Sequence, residues 1–61
     1  MTARYLVMPF DATFPWTSRD WVRILHYLDY AWALRFGKDA PRWTTLRFQR
    51  SALQMRVVVH T

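Results

Sequence analysis

Cysteine and glutamate are both absent from this sequence, and glycine occurs once. Each gap excludes something. Without cysteine there are no disulfides and no cysteine-based zinc sites, and the redox compartment leaves no trace. With carboxylate confined to four aspartates spread along the chain, a paired-carboxylate acid/base site is not indicated. A single glycine, Gly37, cannot build a glycine-rich phosphate loop. Long apolar runs are missing too. The stretch Tyr5 to Met8 is too short for a signal-peptide core. The longest apolar segment is interrupted by Arg23, His26, Asp29 and Arg35, so no membrane span is expected and the default location is cytoplasmic.

What remains is aromatic and basic. The chain has 61 residues, among them four Trp, four Phe and three Tyr. A domain this short buries only about 60% of the surface its unfolded chain exposes. Burial and chain entropy then nearly cancel unless something adds stability. Each aromatic ring supplies roughly 150–250 Å² of buried area. Aromatic packing, completed in some cases by a second chain, is the expected stabiliser of a single domain spanning residues 1–61.

The net charge of +5 is unevenly placed. Residues 1–34 balance Arg4, Arg19 and Arg23 against Asp11, Asp20 and Asp29. Residues 35–61 carry Arg35, Lys38, Arg42, Arg47, Arg50 and Arg56 against Asp39 alone. Nearly all the cations are arginine, whose planar fork suits phosphate, carboxylate and aromatic partners. Codon usage in a GC-rich genome is the competing explanation for that choice.

Along the chain, "ARYLVM" (3–8) reads as a strand stopped by Pro9, with its inward face undecided. "PFDATFPW" (9–16) reads as a loop whose Phe10, Phe14 and Trp16 pack over one end of the core. A helix follows over Ser18–Phe36. Thr17 and Asp20 are spaced as a capping box, with Asp in place of the usual Glu, and Trp16 and Trp21 occupy the two positions of a hydrophobic staple. Gly37 suits the left-handed residue that closes a helix. "RWTTLRFQ" (42–49) and "LQMRVVVH" (53–60) read as strands. A rival reading starts a second helix at Pro41, on the spacing of Trp43, Leu46, Arg50, Leu53 and Val57. The paired threonines and the valine run oppose it.

These elements predict an α+β fold, β-α-β-β, with one helix packed on a three-stranded antiparallel sheet. The valine run suits a central strand, which gives the order 1-3-2. At about 100° per residue, Trp21, Ile24, Leu25, Leu28, Trp32 and Phe36 form the core side of the helix. Arg23, Tyr27, Tyr30 and Leu34 form a second stripe on the opposite side. So little protein cannot cover both, so this stripe is the expected partner-binding surface, rich in the residue types that dominate interfaces. The expected second surface is basic. It comprises Arg42, Trp43, Arg47, Arg50 and Arg56, with Thr45, Gln49, Gln54 and His60 on the uncovered sheet face.

No enzyme is expected, and no cofactor or metal. His26 and Asp29, three apart on the helix, read as a surface pair. Ser18 and Ser51 have no base nearby in the pattern. The predicted role is a small binding or inhibitory protein acting through protein–protein contacts, with an acidic or nucleic-acid-associated protein as partner. Base rates for such short chains extend this to a phage or mobile-element accessory protein acting on a host machine. Self-association into a homodimer would use part of the same stripe. The alternative is a basic nucleic-acid-binding module that uses the arginine and tryptophan sheet face.

Overall fold

The computed structural model describes residues 3–61. Strand β1 (Tyr5–Asp11) is followed by helix α1 (Ser18–Phe36), strand β2 (Thr45–Arg50) and strand β3 (Gln54–His60). The strands form one antiparallel sheet in the order β1-β3-β2. Val58 of the central strand faces Val7 on one side and Arg47 on the other. The helix lies on one face of this sheet and the other face is open.

The helix begins and ends as its sequence dictates. The Thr17 hydroxyl accepts from the Asp20 amide, while the Asp20 carboxylate accepts from the Thr17 amide at 2.8 Å. Trp16 and Trp21 meet with ring centroids 6.1 Å apart, closing the staple. At the other end Gly37 donates to the Ala33 carbonyl. Its φ of 94° and ψ of 146° are a positive-φ extended conformation, not the left-handed helical one expected. That region is also one that glycine alone occupies without strain.

The core is built from Ile24, Leu28 and Trp32 of the helix against Met55, Val57 and Val59 of β3. Leu6, Met8 and Phe10 of β1 and Leu46 of β2 pack around them, which settles the inward face of β1. Trp21, Phe36, Trp16 and Trp43 close the margins. Three indole N–H groups find acceptors: Trp16 on the Asp11 carbonyl, Trp32 on the Pro41 carbonyl and Trp43 on the Asp29 carboxylate. Each ring therefore adds apolar area without stranding its donor.

Several sequence expectations are corrected. β1 does not stop at Pro9 but runs to Asp11, so the loop is shorter than residues 9–16. The reason is the ladder. Arg4 accepts from Thr61, and Ala12 donates to Leu53. Antiparallel alternation then turns the even residues of β1 toward β3 and the odd ones outward. The ring nitrogen of Pro9 faces the free edge, where the ladder needs no donor.

Leu25, expected in the core, is 41% exposed at the margin of the helix. Leu53 lies in the turn before β3 and is exposed, where a strand residue was expected. Strand β2 begins at Thr45 and ends at Arg50, in place of 42–49. The rival second helix from Pro41 does not form.

Candidate functional surfaces

The helix stripe is placed by the same geometry that makes the core. Because Leu28 and Trp32 point into the sheet, residues about half a turn away point out. Arg23, Tyr27, Tyr30 and Leu34 are all exposed, and Tyr30 and Leu34 retain 62% and 70% of their surface. The loops do not reach them. Phe14 and Trp16 meet edge to face, centroids 4.7 Å apart, near the start of the helix. The spacing of 4, 3 and 4 residues keeps the stripe within one narrow face. Its end nearest the helix start is cationic, with Arg19 beside Arg23, and its other end is apolar.

The open sheet face is organised by register. Three cross-strand rows cover it: Tyr5–His60–Thr45, Val7–Val58–Arg47 and Pro9–Arg56–Gln49. Tyr5 lies on His60 in a stacked pair, centroids 5.0 Å apart and planes 27° from parallel. His60 Nδ1 sits 3.0 Å from the Thr61 carbonyl, and Nε2 is enclosed with no partner among the described residues. The ring thus offers its flat body and not a reactive nitrogen. Val58 is buried although it faces outward, since its strand is central.

Trp43 does not belong to this face, contrary to expectation. Thr45 is the register partner of His60, yet the Thr44 amide also donates to the His60 carbonyl at 2.9 Å. Two residues therefore oppose one where the strand starts, the arrangement of a β-bulge, and alternation slips by one position. Trp43 swings to the helix side and donates to Asp29 at 2.9 Å. Arg42 follows it, 3.6 Å from the same carboxylate. The expected His26–Asp29 pair does not form, because Asp29 turns to Trp43 and Arg42. Of the five predicted basic-face residues, Arg47 and Arg56 share the open face. Arg50, the register partner of the core residue Met55, belongs by alternation to the helix side and reaches only the cleft at the β2–β3 turn, and Arg42 and Trp43 lie elsewhere.

The carboxylates are largely committed within the chain. Asp11 accepts from the Thr13 hydroxyl and amide, and these bonds hold it below the usual aspartate range. Asp20 is held down likewise by the Thr17 hydroxyl and then the Thr17 amide. Asp29 serves Trp43 and Arg42. Among the described residues, Arg42–Asp29 is the only ion pair. Arg4 and Arg35 lie over the Phe36 ring, at 5.7 and 5.3 Å. Among the same residues Arg47, Arg50 and Arg56 have no carboxylate partner.

Two shallow clefts accompany these surfaces. One, of about 310 Å³, lies between Asp29, Trp32, Lys38, Arg42 and Trp43. The other, of about 190 Å³, lies at the β2–β3 turn between Gln49, Arg50, Ser51, Gln54 and Arg56. Among the described residues no three His, Asp or related side chains cluster to hold a metal ion. No described helix is long and apolar enough to cross a membrane.

Sequence reasoning missed two features. Tyr5 joins His60 on the open face, and the inward facing of Leu6 and Met8 was the signal needed to find it. Val22, Leu25 and Phe48 are also exposed apolar residues, with Phe48 set against Trp21 at 5.1 Å. Finding that group required knowing that β2 is an edge strand. Comparison with protein-family models, with curated proteins and with solved structures finds no match.

Proposed function

We propose that this chain is a small, non-enzymatic binding or inhibitory protein that docks the outer face of α1 into an apolar groove of a protein partner. The observation that supports this most is the exposure of Tyr27, Tyr30 and Leu34 on one stripe, opposite the core face of the same helix. Anchors spaced by three and four residues are how an amphipathic helix engages a groove. Tyrosine contributes large area at low entropic cost, and arginine contributes directed hydrogen bonds.

The partner's groove is acidic at one end. Arg19 and Arg23 flank the start of the stripe and make no close ion pair among the described residues, and the carboxylate that feels their charge, Asp20, is already held by Thr17. A second copy of this helix would meet them with the same charge if parallel and with Leu34 if antiparallel. An acidic rim satisfies them in a way that self-association does not.

The test is affinity capture with Tyr27→Ala plus Tyr30→Ala beside the unaltered chain. Alanine favours helix and both side chains are exposed, so the fold should persist by circular dichroism. The expected result is a protein captured by the unaltered chain, resistant to nuclease and lost with the double variant. Capture that is equal with both chains, or abolished by nuclease, refutes the helix reading. Light scattering on the same pair reports a homodimer if one forms.

A further inference from the structure

We propose that the open sheet face, separate from the helix stripe, binds single-stranded nucleic acid. One base stacks on the Tyr5–His60 pair, and Arg47 and Arg56 contact neighbouring phosphates.

The face combines what such binding needs and little else. Tyr5 presents a ring 54% exposed, already backed by His60 at 5.0 Å. A backed ring is held in one orientation, so a base can stack on its other face without ordering it first. Beside it, the exposed Val7 offers a small apolar patch to a second base or a sugar. Arg47 lies across the sheet from Val58, and Arg56 one row further along. Adjacent strands are about 4.8 Å apart, and alternate residues on one strand about 6.8 Å apart. The two guanidinium groups therefore stand within a few nucleotides' reach of the stacked pair. The cleft at the β2–β3 turn continues the path, with Arg50 and Arg56 on its walls.

The charge is complementary as well as positive. Asp11 is the one aspartate within the three strands. It stands at a corner and is bound to Thr13. Among the described residues neither Arg47 nor Arg56 has a carboxylate partner. An acidic protein would also satisfy the arginines, but it would have no use for an exposed, backed ring. A duplex would satisfy them too, but its bases are stacked on each other and unavailable to Tyr5. The aromatic pair is thus what selects a single strand.

The experiment is fluorescence anisotropy with the full chain, using labelled oligouridine and oligothymidine of about ten nucleotides and a duplex of equal length. Tyr5→Leu keeps apolar area but removes the stacking ring. Its expected effect is a loss of affinity of about 5- to 150-fold, the stacking of one base. Arg47→Ala plus Arg56→Ala is expected to reduce the slope of log affinity against log salt by about 1.4, near 0.7 per lost phosphate contact. Arg19→Ala plus Arg23→Ala removes equal charge from the helix and is expected to leave that slope nearly unchanged. Circular dichroism confirms that each variant is folded. Equal affinity for the duplex, an indifferent Tyr5→Leu, equal slopes for the two arginine pairs, or no binding at low salt each overturn the proposal. Poly-aspartate competing as well as the oligonucleotide would reassign the face to an acidic protein and overturn it too.

Discussion

Asp20 is fixed by its partners and not by burial. Its carboxylate accepts from the hydroxyl and the amide of Thr17, at 2.7 and 2.8 Å. These bonds favour the ionised form and lower its pKa. The folded protein therefore binds this proton less readily than the unfolded chain, whose aspartates titrate near 3.9. Between the two values the unfolded state holds more protons, so stability rises with pH there. The contribution is complete above the unfolded value and is lost as pH falls through the folded one. Asp20→Asn removes this titration while keeping an acceptor. We expect the stability advantage of the unaltered chain over Asp20→Asn to shrink as pH drops from about 5 through the unfolded value and below it. Urea midpoints across that window measure it, and a constant difference would contradict the linkage. This cap was legible in the sequence because a capping box is local: four consecutive residues contain it. The role of Asp29 was not. Its partners, Trp43 and Arg42, come from the far side of a loop. Spacing along the helix offered only His26.

At the scale of elements, patterning placed the helix to the residue and the strands to within a few. The errors share one cause: backbone direction is a property of a pair of strands, not of one. Proline removes a donor, so the sequence alone predicts a stop at Pro9. Only the pairing with β3 shows that no donor is needed there. Trp43 was assigned by alternation to the open face, and only the double opposition at His60 shows where alternation slips. The same ladder makes a test on β2. Ser51 donates to Gln54, so odd residues of β2 face β3 and even ones face the free edge. Gln49 and Arg50 are both exposed, which removes side-chain packing from the comparison. Gln49→Pro deletes a ladder bond opposite Arg56, whereas Arg50→Pro deletes a donor that faces outward. We expect the first to cost at least about 1 kcal/mol more than the second. Chemical denaturation of the two variants reads this directly, and the reverse order would mean the register is wrong.

At the scale of the whole molecule, the sheet has one covered face, and the helix likewise has one covered side. The same arrangement that leaves Tyr27, Tyr30 and Leu34 outside also leaves Tyr5, Arg47 and Arg56 outside, on the opposite side of the protein. Both surfaces can then be occupied at once. That the helix has a second apolar side was legible from periodicity alone, since 61 residues cannot enclose both. The stacked pair on the sheet was not, because Tyr5 and His60 are near opposite ends of the chain. A core this thin depends on few side chains. Native domains are stable by roughly 0.05–0.15 kcal/mol per residue, which for this length is on the order of 3–9 kcal/mol. Leu28 is fully buried between helix and sheet. Truncating a buried leucine to alanine costs about 2–5 kcal/mol, because the cavity does not fully collapse. Leu28→Ala therefore removes a large share of the total stability. Leu34→Ala, six residues later on the same helix but exposed, should shift stability by no more than about 0.5 kcal/mol. Thermal melts followed by tryptophan fluorescence should show Leu28→Ala melting far below the unaltered chain or unfolded at 37 °C. Leu34→Ala should superimpose on the unaltered chain. If the two leucines cost the same, the helix does not present to the sheet the face described, and the exposure of its tyrosine stripe loses its basis.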